Sequence, residues 1–423
     1  MPDATTHAAP PNTTNVGSPE LTATQQAPSL DEALLKAMQE LGITDLSTIT
    51  KDQATGLLER LQQLQSDQAQ VADGPSTEGL AITIKKLEQA IAKWPEAGAT
   101  PLEQELNSQK GRLGVLEAIS AATGHGEVGV AALVSAAQTE VGGKVSVLEK
   151  AQTVIDEQMP LGAENSGSSR EQAQKMLDAI NGLENAGYNL ADLMLKDLQE
   201  ELQNQLSKPP SEPPNPEGDD LLLRKSVLGA LDNYFEASGL DQASPQRTRN
   251  RALLAGADVA SNEHSMSKAW ETETRNITNL ESFSQENVED AIKQLEALRA
   301  DAIRRGDTVA VTAINAKISV MAEAAAHIEE HGSLGDHAIV TVYKLKAIDM
   351  GTKQILLDQL KEAKLQADQS GDAQLMSELE GKIASMQTQI NTLEQELKVI
   401  KEKMTDVIEF KADKHVQSLM NVA

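Results

Sequence analysis

The sequence contains no cysteine, which excludes disulfide bonds, zinc–thiolate sites and thiol nucleophiles. Any metal ligands would have to be histidine and carboxylate side chains. The absence of cysteine does not identify the cellular compartment, because it suits both a reducing cytoplasm and an export route that passes an unfolded polypeptide.

Aromatic residues are also scarce: they make up 2% of the 423 residues, although 39% of the chain is hydrophobic. The apolar core must therefore come from Leu, Ile, Val, Met and Ala, which are typical of packed helices rather than of sheet cores. We predict an all-α fold and, from the length, two or three domains.

Positive charge is in short supply, with 37 Lys and Arg residues against 64 Asp and Glu, a formal net charge of −27. Such a field repels the phosphates of DNA, RNA and anionic lipids. We expect no nucleic-acid binding, and no association with other proteins until a specific apolar surface is offered.

The first 29 residues lack the basic and apolar regions of a secretory signal peptide, and Asp3 and Glu20 are their only charged side chains. Because this segment is rich in Thr, Ala, Pro, Asn and Gln, we predict a disordered leader. No apolar run in the chain approaches the roughly 18 residues of a membrane-spanning helix. The sequence therefore predicts no transmembrane segment.

Proline and apolar spacing divide the remainder. The segment 207–218 carries five prolines and predicts an extended linker. We predict an N-terminal helical domain over 30–206, a helical segment over 219–284, and tandem helical hairpins with a coiled coil over 285–423. Within the middle segment, separate helices are expected at 251–260 and 264–279.

An internal repeat with an offset of 65 residues supports the tandem hairpins. In each copy a Gly-Asp pair would end one helix in a left-handed residue and begin the next. The matching positions are Gln294-Leu295 and Gln359-Leu360, Gly306-Asp307 and Gly371-Asp372, Ile314 and Leu379, Lys317-Ile318 and Lys382-Ile383, and Met321 and Met386.

The last predicted helix carries apolar residues in alternating steps of three and four, the pattern of a coiled-coil seam. We expect this seam to bind helices, first the preceding one over 342–368, then those of partner proteins, including further copies of this chain. The predicted partner-binding residues are Ile383, Met386, Ile390, Leu393, Leu397, Ile400, Met404 and Val407.

One short motif has the form of a metal site. His327, Glu330 and His331 match the H-x-x-E-H pattern of the inverted zinc proteases, with Glu330 as general base and His337 as a further ligand. The favoured interpretation is a solvated pair of histidines at a helix C-terminus, where the dipole favours positive charge. We therefore predict no metal, no cofactor and no catalytic residue.

Two other features of the sequence each allow more than one interpretation. The cluster of Arg247, Arg249 and Arg251, near Arg224 and Lys225, could dock an anion or an acidic partner, but a solvated loop-to-helix junction that balances local acidity is the favoured interpretation. Its lack of interleaved aromatics argues against nucleic acid. Among the few aromatic residues, Trp270 is either a core residue, the favoured reading, or an exposed partner anchor.

The uncharged leader, the absence of cysteine, the acidity and the long C-terminal seam together resemble bacterial type III-secreted proteins, especially their hydrophilic needle-tip and translocator components. In that resemblance residues 1–29 match the secretion signal and 342–418 the coiled coil. The offset-65 repeat is not a hallmark of tip proteins, and no translocator-type hydrophobic hairpin is found.

The resemblance implies a secreted virulence protein, exported without a signal peptide, that assembles with a secretion chaperone or needle component. We predict a non-enzymatic interaction or structural protein of this kind. The alternative is an intracellular scaffold or assembly factor in the cytoplasm, for which acidity and few aromatics are equally expected. A remote third alternative is a zinc hydrolase at His327 and His331.

Overall fold

The computed structural model describes residues 30–69, 77–94, 100–123, 129–159, 168–211, 214–276 and 283–407. Across these ranges the predicted all-α class is confirmed, since they contain helices and no strand. The predicted leader lies outside them. The helices are α1 (Leu30–Glu40), α2 (Lys51–Ala69), α3 (Thr77–Ala92), α4 (Pro101–Thr123), α5 (Val130–Glu157), α6 (Ser169–Asn185), α7 (Lys196–Ser207), α8 (Pro216–Ala237), α9 (Pro245–Asn276), α10 (Gln285–Arg305), α11 (Thr308–His331), α12 (His337–Ser370) and α13 (Ala373–Val407).

The chain forms two compact units. Unit 1 comprises Met1–Lys93 and Arg112–Gln138, and unit 2 comprises Trp94–Gly111 and Thr139–Ala423. Helices α4 and α5 therefore contribute residues to both units. This division differs from the predicted one, because the proline-rich segment 207–218 lies inside unit 2.

Unit 1 is built around α2, which packs against α1 and α3. Its core is aliphatic, as the composition predicts, with Leu57 and Leu61 of α2 fully buried. A short 3₁₀ turn, Leu46–Thr48, joins α1 to α2, and the Asp45 side chain caps it by accepting a hydrogen bond from the Ser47 amide at 2.8 Å. The Arg112 Nε donates to the Ile49 carbonyl at 3.2 Å, which ties this turn to α4.

Within the predicted linker, Ser211 is held to α8. An Asp219 carboxylate oxygen accepts hydrogen bonds from both the amide and the hydroxyl of Ser211, each at 2.9 Å. Pro216 occupies the first turn of α8, where its missing amide hydrogen costs nothing, and Asn215 caps the helix by accepting from the Gly218 amide. The last of the five prolines thus starts a helix, and α7 packs against α8.

Helix α9 is a single helix of 32 residues, where the sequence predicted two. The polar residues at the predicted break have buried partners. The Asn262 side chain donates to the Asp258 carbonyl at 2.8 Å and accepts from the Ala310 amide at 2.9 Å. Tertiary hydrogen bonds thus stabilise a helix that local propensity would interrupt.

The two repeats form two helix pairs with corresponding turns. Gly306 ends α10 and Gly371 ends α12, with φ of 69° and 75°, the left-handed conformation that favours glycine. Asp372 caps α13 by accepting from the Leu375 amide at 2.9 Å, whereas the Asp307 side chain makes no capping hydrogen bond to α11. Ion pairs Lys346–Glu396 and Lys364–Glu380, at 2.6 and 2.7 Å, fix α12 and α13 antiparallel.

Among the described helices, α11 is long and apolar enough, by length and composition, to cross a membrane. In this structure it contributes buried Ile314, Val320 and Met321 to the core of unit 2, and its central Lys317 is fully buried. These are also the features of a core helix, so the predicted absence of a transmembrane segment stays a prediction.

Candidate interaction surface

The predicted seam of α13 faces α12 within the same chain. Its residues alternate between buried and half-buried, and α12 packs along the length of α13. The side chain of Val407 is outside the described residues. Because α12 covers the buried positions of the seam, those positions are not open to a partner helix in this conformation. The buried ones are Met386, Ile390, Leu397 and Met404, and the half-buried ones are Ile383, Leu393 and Ile400.

An open groove lies beside this seam. Both α9 and α13 pack on α12, and between them the surface encloses a cleft of about 740 Å³ with α12 as its floor. The N-terminal part of α8 adds Glu217 and Leu221. We call this cleft the α9–α13 groove. Its lining on α9 runs from Ala260 to Glu271, which corresponds to about three helical turns, or roughly 16 Å.

The apolar part of the groove centres on Trp270. Its side chain is 53% exposed, so the favoured reading of Trp270 as a core residue is wrong and the alternative of an exposed position holds. Across the groove lies half-buried Leu393 on α13, and half-buried Leu221 lies on α8. These side chains leave apolar surface accessible between polar neighbours, an arrangement typical of binding grooves.

Acidic side chains outnumber basic ones in the groove. Five carboxylates line it, against three lysines. Most of them are already paired: the Lys346 Nζ lies 2.6 Å from Glu396, and the Lys268 Nζ lies 3.4 Å from Glu271. The five are Glu217, Glu263, Glu271, Asp349 and Glu396.

Glu263 is the exception. This half-buried residue on α9 has no ion-pair partner within 4 Å among the residues that the structure describes. Burial raises its pKa, and the charges of Lys353 and Lys382 counter this only in part. The groove therefore contains a partly desolvated carboxylate without a direct ion pair.

A buried ion triad lies beneath the floor of the groove. The Lys317 Nζ is 2.6 Å from both Glu273 Oε1 and Asp349 Oδ1, and the Lys317 side chain has no exposed surface. Burial and the nearby charge of Asp349 raise the pKa of Glu273 to about 7, against the opposing charge of Lys317. Burial disfavours the charged ammonium, but the two carboxylates raise the pKa of Lys317 above its ordinary value. The triad joins α9, α11 and α12.

The rings of the predicted histidines lie next to one another, and those of His327 and His331 are stacked. The ring centroid of His327 lies 4.3 Å from that of His331 and 4.0 Å from that of His337. The first two rings are nearly parallel, so their faces meet rather than their nitrogens, and the Glu330 carboxylate lies 3.9 Å from His331 Nδ1. Partial desolvation and the neighbouring histidines lower the pKa of His327. No group of three potential ligands in the described ranges is arranged to hold a metal ion.

The arginine cluster is paired inside unit 2. Arg247 is 3% exposed and lies 2.7 Å from Glu236, and Arg249 lies 2.7 Å from Asp372. Buried Arg247 is therefore not solvated, whereas the pairs with Glu236 and Asp372 agree with the predicted balancing of local acidity. Asp372 lies in the Gly-Asp turn of the second repeat and caps α13, so this pair anchors the turn of the α12–α13 hairpin.

Sequence reasoning missed the groove itself. Glu263 and Leu221 carry no motif, and only the tertiary packing of α8, α9, α12 and α13 brings them together. The one available signal was Trp270, a rare aromatic with charged neighbours. No protein-family model matches the chain, and comparison with curated proteins and with solved structures gave no match either. The resemblance to type III-secreted proteins therefore stands on sequence layout alone.

Proposed function

We propose that this protein is a secreted, non-enzymatic interaction protein of the type III-exported class that acts by binding helices of other proteins through its C-terminal half. The observation that carries the proposal is the α9–α13 groove. Three helices frame it, and the exposed Trp270 lies on its α9 wall. Helix-in-groove binding uses such a surface, with apolar anchors spaced along one face of the bound helix.

The α13 seam has a supporting role in this proposal. Because its buried residues pack on α12, it holds the wall that carries Leu393, and partners bind beside it rather than on it. Candidate partners are helical proteins of a secretion system, such as a chaperone or a needle component. Export without a signal peptide rests on the composition of residues 1–29.

The export part is tested by fusing residues 1–29 to a reporter enzyme in a bacterium with a type III secretion apparatus. The account predicts reporter activity in the culture supernatant that disappears when the apparatus is inactivated. The matched control carries residues 373–401, a segment of the same length with seven charged side chains, and should not be exported. If the reporter stays inside the cell, the alternative of an intracellular scaffold or assembly factor takes its place.

A further inference from the structure

The α9–α13 groove has the length and the polarity to select one class of occupant. We infer that it binds a basic amphipathic helix of another protein, about three turns long, with Lys or Arg on the face that meets Glu263. This inference rests on the proposed function and specifies its partner. It begins with the shape of the groove, whose walls are two helices that pack on the same floor helix.

Shape favours a helix. A fourth helix laid between α9 and α13 would complete a four-helix arrangement over α12, at the spacing of about 8–10 Å that packed helices adopt. Trp270 and Leu393 would then contact apolar side chains on one face of the occupant. Trp is enriched among residues that dominate interface energetics, since it buries a large area at a low entropy cost.

The charge of the groove lining determines which charge the bound helix carries. Of the five carboxylates in the lining, Asp349, Glu271 and Glu396 are paired with lysines and Glu217 lies 3.3 Å from His264 Nδ1. Half-buried Glu263 is left without an ion pair in the described part of the chain. A cation placed there would relieve a desolvation penalty that the free protein bears. The net charge of −27 attracts basic partners over a distance and opposes a second copy of this chain.

The test uses the full-length protein and a fluorescein-labelled peptide of Leu and Lys, about 12 residues or three helical turns long, with Leu at helical spacing. Fluorescence anisotropy should give saturable binding in the micromolar range. Trp270→Ala should weaken it at least tenfold, and Glu263→Gln about fivefold. The matched control Glu329→Gln changes the net charge identically at an exposed position of α11 outside the groove lining, and should leave binding unchanged.

Three results would overturn the inference. One is the absence of saturable binding. The second is equal binding by wild type, Trp270→Ala and Glu263→Gln, which would mean general attraction to an acidic surface. The third is equal binding of a peptide with Leu and Lys strictly alternating, or of one with Glu for Lys, since neither presents a basic helical face. Circular dichroism of each variant checks that the fold is retained.

The peptide-binding assay is independent of the reporter-secretion assay. If the leader exports the reporter but the basic peptide does not bind, the partner class is wrong and the proposed function survives. If the peptide binds as expected but the leader exports nothing, the groove stands and the secretion proposal fails. The two failures are therefore distinguishable.

Discussion

The buried triad beneath the groove gives the sharpest stability prediction. Replacing Lys317 with Met keeps the unbranched side chain up to the ε position but removes the ammonium that lies 2.6 Å from both Glu273 and Asp349. Both carboxylates are at most 10% exposed, so they stay buried without their counter-ion. Removing one partner from a buried ion pair costs about 3–5 kcal/mol. We expect unit 2 to lose that much free energy of unfolding at pH 8.

The loss should depend on pH, with a sign that follows from Glu273. Its pKa of about 7 in the folded protein exceeds its ordinary value of 4.5, so the folded state binds more protons between these pH values. Stability from this group therefore falls as pH rises from 4.5 through 7. Without Lys317 the carboxylates are harder still to ionise, so Lys317→Met should cost less at pH 5 than at pH 8.

Urea unfolding followed by circular dichroism measures this effect. With a slope of about 3 kcal/mol per molar urea, the midpoint should fall by about 1 to 1.7 M. Lys364→Met is the matched control, because the side chains of the Lys364–Glu380 pair are 37% and 56% exposed, and such pairs contribute less than about 1 kcal/mol. The variant Lys317→Met with Glu273→Gln and Asp349→Asn should recover most of the loss. If both lysine variants lose the same free energy of unfolding, or if the loss for Lys317→Met does not depend on pH, the buried triad does not stabilise unit 2 in this way.

Three further predictions concern the hairpins. Gly371→Ala should destabilise by about 1–2 kcal/mol because φ is 75°, whereas Gly381→Ala within α13 should stabilise by up to about 1 kcal/mol; thermal melts that shift both in the same direction would contradict this. Asp307→Asn should cost about 2–3 kcal/mol at pH 7 by removing charged contacts to Lys225 and Arg305. Burial alone would raise the pKa of Asp307, but the hydrogen bond from Ser265 and the charge of Lys225 lower it, so the deficit should shrink as denaturation is measured towards pH 3. Ile390→Asp, at a 2% exposed position, should cost at least about 4 kcal/mol, while Val399→Asp, half exposed on the same helix, should change urea stability by less than about 0.5 kcal/mol.

Local sequence signals were sufficient for the helices and for the repeated turns. Gly306 and Gly371 could be placed because only glycine adopts their left-handed conformation without strain, and a Gly-Asp pair marks that turn directly. The apolar spacing of α13 likewise identified a face that packs on another helix. Such signals act over three or four residues, which is the range that sequence reading resolves.

Features set by distant residues escaped prediction. The continuity of α9 depends on the hydrogen bond from the Ala310 amide to Asn262, 48 positions away in the chain. The segment before α8 is held by Asp219, and its prolines alone suggested a linker. The groove likewise arises from four helices. Neither composition nor spacing records such tertiary contacts, so only the structure could show which surface is open.

The most direct test of the central claim, that unit 2 binds a helix in the α9–α13 groove, uses the absence of cysteine from the chain. Thr392→Cys places a single bimane label in the groove. The control Thr312→Cys places the label on α11 outside the groove lining. Thr312, like Thr392, is an exposed helical threonine whose hydroxyl donates to the carbonyl four residues earlier. On titration with the Leu–Lys peptide, the account predicts a saturable blue shift of the emission at position 392 and none at 312. Peptide binding without a change at position 392 would contradict it.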